Sequence, residues 1–447
     1  MDGRSKGVKE WITRSRACDL SISVHESCDA YNFPRTYTDA IFEAMTEASS
    51  RWKHISLDCS SSSFLRLVTF LNQNTPSSCP RLESFSLSIT TSLVPRNEDP
   101  ESVFISSPFA TSPRLCDIRL HSSHVTGYYG TYSGPWSQLV YLSLGTENDT
   151  VGIDCVGTIL AQAHQLRTCK LCLHLDRPRP CPFSCPQLED INLSFRDDDW
   201  WESPESLHYF QNMIVLPVLK HITYDGTEAC VPLTGLIRGA QGRITHLSTT
   251  FLCDPLVLFE CLRLSPDLVY LHVSAEKYEI GMYEDSARTF SNEALRDWNS
   301  ALDSESIGEL LLNAFVPPGF GLFLVRIPET LCPKIEYMSY HDPYGAIYSG
   351  TIAKFIKTKC STVHLANNPQ YSKLKGLSII MLEELPTDDV QLNRLEFADE
   401  IDAGLNLSFK YIHRAAPLAP QLAADAGILL NTNRPLWWPF YDESGYR

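Results

Sequence analysis

Four cysteines in one short stretch have the types and spacing closest to a reactive site. Cys169 and Cys172 make a C-x-x-C pair, and Cys181 and Cys185 follow; four thiolates so spaced could surround a zinc ion tetrahedrally. Packing offers a competing account. Cys169 falls on an apolar position of a strand pattern set out below, and Cys185 directly precedes Pro186. Residues that packing already explains need no metal, so the expectation is no metal and no cofactor. The fifteen cysteines are odd in number and scattered through apolar segments. That pattern reads as free thiols packed as small hydrophobes in a reducing compartment.

Three histidines, His221, His246 and His272, form a second candidate: a column that could titrate near neutrality or ligate a metal. No carboxylate or cysteine accompanies them at fixed spacing, which favours ordinary surface histidines. The phosphate-loop, dinucleotide, nucleophile-elbow and zinc-protease motifs are all missing from the sequence, so the expectation is a protein that is not an enzyme. The stretch GYYGTYSG at 127–134 reads as an inserted loop. At 197–202, DDDWWE either exposes two tryptophans as a docking patch or folds them back while the acids stay wet.

A net charge of −16 argues against nucleic acid, which needs clustered positive charge. With no secretory leader and no run of eighteen apolar residues, the expectation is no membrane and a cytoplasmic or nuclear location. A hydrophobic content of 43% suffices for a large core.

Any of these side chains would have to be positioned by a repeat. RWKHISL from Arg51, RLESFSL from Arg81, RLCDIRL from Arg114, QLVYLSL from Gln138, QLRTCKL from Gln165 and QLEDINL from Gln187 share one register. It continues in VLKHITY from Val218, RITHLST from Arg243, DLVYLHV from Asp267 and KIEYMSY from Lys334; RACDLSI from Arg16 and SIGELLL from Ser306 fit more loosely. Successive starts lie roughly 22 to 39 residues apart, less even than tight leucine-rich repeats. Each segment ends in the period-two alternation of a half-buried strand. Between them, Phe64, Leu67, Val68 and Leu71, or Ile352, Phe355 and Ile356, carry helical spacing; so do groups at 156–163, 233–237 and 258–262. Cysteine or serine before proline (Cys79, Ser112, Cys185, Ser265, Cys332) precedes several strands, and proline there ends a helix and launches a strand.

The expected fold is therefore α/β, a leucine-rich-repeat solenoid with a curved parallel sheet inside and helices outside, of about 11 to 13 irregular repeats. Residues 1–50 would form an N-terminal cap and first strand, 51–397 the repeats, and 398–447 a C-terminal cap with the aromatic tail PLWWPFY at 435–441. That tail would either pack back on the last repeats or serve as a linear motif.

Trp11-Ile12-Thr13-Arg14-Ser15, the strand at Leu20, the segment from Arg51 and the Cys/Ser-Pro-Arg-Leu openings resemble the leucine-rich-repeat region of fungal, basidiomycete-type F-box proteins. In that family an F-box ahead of the tryptophan motif docks on a Skp-type adaptor of a cullin ubiquitin ligase, and the repeats bind the substrate. Ten residues precede Trp11, too few for an F-box, so the resemblance implies the substrate-binding repeats with the adaptor-docking module missing. The alternative is a free-standing leucine-rich-repeat interaction protein with no ligase link.

Either way the expected partner is a protein bound on the concave face. In this register the second, fifth and seventh positions point inward and the fourth and sixth outward. The outward residues proposed for partner binding are Asp117, Arg119, Tyr141, Lys170, Asp190, His221, His246, Tyr270, His272 and Tyr337. Tyrosines suit an interface because they are large, stiff and amphipathic.

Overall fold

The computed structural model describes residues 3–26, 35–74, 79–89, 104, 107–122, 134–146, 150–174, 183–195, 214–226, 231–250, 255–274, 307–315, 331–342, 347, 349–383 and 394–413. The stretches 127–133, 197–202 and 435–441 singled out above lie outside them, as does Cys181.

Short strands follow one another along the chain, with α-helices between many of them. α1 (Gly3–Arg14), β1 (Leu20–His25), α2 (Arg35–Thr46), β2 (Trp52–Cys59), α3 (Ser61–Asn74), β3 (Ser84–Ile89), β4 (Asp117–Ser122) and β5 (Tyr141–Leu144) make the first part. There follow β6 (Val151–Gly152), α4 (Ile153–Gln162), β7 (Thr168–His174), β8 (Phe183–Ser184), β9 (Asp190–Phe195), β10 (Ile214–Val215), β11 (His221–Gly226) and α5 (Val231–Gly239). The last part is β12 (His246–Thr250), α6 (Pro255–Arg263), β13 (Tyr270–Ser274), α7 (Ile307–Ala314), β14 (Tyr337–Asp342), α8 (Ser349–Cys360), α9 (Thr362–Asn367), β15 (Gly376–Glu383), α10 (Ala398–Asp402) and β16 (Asn406–His413). None of these helices falls between β3 and β6 or between β7 and β11.

Fourteen of these strands form one sheet in the order β1-β2-β3-β4-β5-β7-β9-β11-β12-β13-β14-β15-β16, with β6 beside β7. Every pairing is parallel. The fold is thus α/β around one large parallel sheet. Strand order follows chain order because each connection returns the chain to the same edge.

One hydrogen-bond device recurs at every junction from β3–β4 to β14–β15. The carbonyl just before a strand accepts two N–H donors from the start of the next strand: Glu83 O takes Cys116 N (2.9 Å) and Asp117 N (3.0 Å), and Val269 O takes Glu336 N and Tyr337 N at the same distances. Ahead of β3, β4, β5, β7, β9, β11, β12, β13 and β14 an i to i+3 turn closes on a buried residue, as in Leu188 N to Cys185 O at 3.2 Å. The pre-proline residues link these turns sideways. Ser112 Oγ donates to Cys79 O (2.8 Å), Cys185 Sγ to Leu160 O (3.3 Å) and Cys332 Sγ to Leu262 O (3.4 Å). Each of these carbonyls also accepts a backbone N–H, from Leu82, Ala163 and Ser265 respectively, so the thiol or hydroxyl adds a second bond that ties one turn to the next.

The inward strand residues and the apolar helix faces join in one continuous core. Phe64, Leu67 and Leu71 of α3, and Ile352, Phe355 and Ile356 of α8, are fully buried, as their spacing predicts. Among the described residues no helix is long and apolar enough to cross a membrane.

Two departures from the sequence reading concern element type and extent. SIGELLL, read loosely as a strand segment, begins helix α7; Leu311, Ala314 and Phe315 are buried at helical spacing, and the strand template was matched by chance. Nor does the sheet stop at residue 397. β16 pairs with β15 over eight residues from Gly376↔Asn406 to Glu383↔His413, because Leu405 and Leu407 continue the buried row.

Candidate functional site

Alternation along the strands sends the proposed partner-binding residues to the sheet face opposite the core. In the fourth column the paired positions run Ser84↔Asp117↔Tyr141↔Thr168↔Asp190↔His221↔His246↔Tyr270↔Tyr337↔Gly376. In the sixth they run Ser86↔Arg119↔Ser143↔Lys170↔Asn192↔Thr223↔Ser248↔His272↔Ser339. All ten residues named from sequence stand on this one face.

They gather in two groups. Around β4, β5 and β7, Arg119 holds Asp117 with two hydrogen bonds, Nε to Oδ1 and Nη2 to Oδ2, both 3.2 Å. Its guanidinium also lies 4.7 Å from the Tyr141 ring centroid, a cation–π contact. Ser84 Oγ donates to the same Asp117 carboxylate at 3.1 Å. Lys170 is exposed two strands along. Burial, with Lys170 and Arg119 adding repulsion, lowers the pKa of His121; its Nε2 lies 3.1 Å from Ser143 Oγ. Burial also raises the Tyr141 hydroxyl above its ordinary value.

Around β9 to β14 the groups are rings. His221 Nδ1 lies 3.7 Å from Asp190 Oδ2. The His221 and His246 rings meet edge to face at 4.4 Å and 77°. His246 stacks on Tyr270 at 5.7 Å and 23°. Burial lowers the His246 pKa, His221 lowers it further, and Asp190 opposes both. His272 is pushed down to about 4 by burial and by His341, so it stays neutral at physiological pH. Tyr337 keeps 41% of its surface exposed.

One expectation for this face fails at Ser143. The sixth position should be solvated, yet Ser143 is 1% exposed, a short hydroxyl between the long Arg119 and Lys170 chains and bonded to His121. The eighth position, held by His121 on β4 and His341 on β14, shares this face and is not among the residues named from sequence. The two-residue period that found the first two columns extends to the third. An open concavity of about 340 Å³ also lies at the start of the sheet, lined by Ser21, Ser23, His54, Ser56, Ser84, Ser86 and Arg119.

No protein-family model and no curated protein matches the chain. What the face can do chemically must therefore be read from its own side chains. The cysteine group does not form a site among the described residues. Cys169, Cys172 and Cys185 are buried, and burial pushes Cys185 up to about 12 and Cys169 well above its ordinary value. Thiols held protonated in this way are poor metal ligands and poor nucleophiles. Among the described residues no three His, Cys, Asp or Glu side chains are placed to hold a metal ion, the histidine column included.

Proposed function

We propose that this chain is a non-catalytic leucine-rich-repeat scaffold that binds a protein on the outward face of its sheet, resembling the substrate-binding repeats of an F-box ubiquitin-ligase receptor. The observation that carries the reading is the unbroken row of fourth-position residues from Ser84 to Tyr337, registered strand by strand. Such a row offers a long, rigid surface that loops could not hold in place. Tyr141, Tyr270 and Tyr337 supply aromatic area on it without occupying the core, as interface anchors do. The recurrent turn and the doubly bonded carbonyl support the repeat assignment, since each unit completes its polar pairing only against a neighbour.

Replacing Tyr141, Tyr270 and Tyr337 together with alanine should abolish capture of a protein partner while leaving circular dichroism unchanged. Retained capture would remove the outward face from the reading. The ligase link is separable from the binding claim. Recovery of a Skp-type adaptor bound directly to this chain supports it, and a complex lacking that adaptor favours a free-standing interaction protein.

A further inference from the structure

The outward face is divided by charge. Its Arg119 and Lys170 stand on β4 and β7, whereas from β9 to β14 the fourth and sixth positions contain no lysine or arginine. They hold Asp190, His221, His246, Tyr270, Tyr337, Asn192, Thr223, Ser248, His272 and Ser339. In the eighth column Asp225 adds a second carboxylate, two positions beyond Thr223 on β11. The whole chain carries −16, so a cation approaching this half meets attraction at long range and aromatic faces at contact.

The two tyrosines are held in different ways. Tyr270 stacks on His246, toward β12. Tyr337 leans the other way, over Gly376 of β15, where a Cβ would lie 2.9 Å from Tyr337 Cδ1. The missing side chain at Gly376 leaves room for that ring, whose exposure of 41% leaves part of it open to a partner. Neighbouring strands lie about 4.8 Å apart, so the span from Asp190 to Tyr337, four strands on, is roughly 19 Å. An extended polypeptide crosses that distance in about six residues.

Resting on the outward-face reading above, we propose that this half of the sheet binds an extended, arginine-bearing polypeptide segment running across the strands from Asp190 and Asp225 to Tyr270 and Tyr337. One guanidinium meets the Asp190 carboxylate, a second arginine reaches toward Asp225 four positions farther along the strands, and another lies on the tyrosine rings. Arginine suits both ends, since its planar cation pairs with carboxylate and stacks on aromatic faces. The segment's path between the two ends crosses His221 and His246. Asp190 lies beside the His221 ring, His221 meets His246 edge to face, and His246 stacks on Tyr270.

The test is fluorescence anisotropy of a labelled dodecapeptide of repeated Arg-Gly-Gly, and of its Glu-Gly-Gly counterpart, against the full chain at near-physiological salt. The arginine peptide binds and the glutamate peptide does not. Tyr270→Ala with Tyr337→Ala weakens binding about tenfold or more, and Asp190→Asn with Asp225→Asn weakens it similarly. Gly376→Ala, which displaces the Tyr337 ring while keeping both tyrosines, gives a several-fold loss. Equal affinity for the double tyrosine variant would mean general attraction to an acidic protein and overturns the proposal, as does absence of arginine-peptide binding. If that peptide is not bound but the triple tyrosine variant still loses its captured protein, the outward-face reading stands and only the arginine assignment falls.

Discussion

Lys359 shows how a single residue can carry a legible energetic signature. It is fully buried near the end of α8, its ammonium donates to Pro333 O at 3.1 Å, and it lies 5.6 Å from the Tyr371 ring centroid. Burial lowers its pKa from 10.5 to about 8. Between those values the unfolded chain binds a proton that the folded chain lacks, so stability from this group rises with pH from about 8 to about 10.5. Below pH 8 the folded protein bears the full cost of a poorly hydrated ammonium, roughly 3 kcal/mol. Replacing the lysine need not orphan its acceptor, because Ser372 N also donates to Pro333 O at 3.0 Å. Lys359→Met should therefore be more stable than wild type at pH 7 by roughly 1 to 3 kcal/mol, and that difference should shrink toward zero by about pH 10. Cys332 and Cys360, whose thiols the Lys359 charge lowers, titrate higher in the variant; the other buried cysteines cancel. Urea unfolding of the pair across this range measures it, and a difference independent of pH would remove the argument.

At the scale of elements, one arginine ties the first helix to the sheet. Arg51, just before β2, donates from Nη2 to Ile12 O (3.1 Å) and from Nη1 to Ser15 Oγ (3.0 Å) and Arg16 O. These acceptors lie at the C-terminus of α1, where carbonyls are unpaired and the helix dipole is negative. Arg51→Met should speed backbone hydrogen exchange in α1 by roughly tenfold to a hundredfold, equivalent to 1.5 to 3 kcal/mol of lost charged hydrogen bonding, while exchange in β9 to β13 stays unchanged; unaltered exchange in α1 would show the contact to be idle. Much at this scale was readable in the sequence. Ten strand segments and five helical groups stand where periodicity put them, because each periodic residue is a core residue. The failures have physical causes. SIGELLL satisfied the strand template, but its buried positions recur at helical intervals. Lys373-Leu374-Lys375-Gly376-Leu377-Ser378-Ile379 fits the strand pattern and passed unread because glycine stands where a polar side chain was sought; the structure shows that glycine making room for Tyr337. The outward columns were legible from a period of two, whereas the ring stacking of His221, His246 and Tyr270 was not, since it depends on which strands become neighbours.

The whole molecule is a row in which each strand of the main sheet pairs with its neighbours in that row, from β1 at one end to β16 at the other. Cooperativity in such a row passes through nearest-neighbour contacts, so the same mutation should act differently by position. Leu142 of β5 and Leu407 of β16 occupy equivalent inward sites, one paired on both sides and one at the edge, and both are buried. Truncating either to alanine removes similar apolar volume, at a cost of roughly 2 to 5 kcal/mol where the site cannot collapse. β5 has only four residues, so it is the thinnest link between the β1–β4 and β7–β16 segments. Leu142→Ala should therefore uncouple the two: hydrogen exchange rises on β4, β5 and β7, and unfolding followed by different probes ceases to coincide. Leu407→Ala, on the last strand of the sheet among the described residues, should release β16 alone, leaving the main transition within about 0.5 kcal/mol of wild type. A single coincident transition lowered equally by both substitutions would mean that the sheet folds as one indivisible unit. The nearest-neighbour account would then be wrong for this chain, and with it the expectation that a partner held across β9 to β14 stabilises those strands more than β1 to β3.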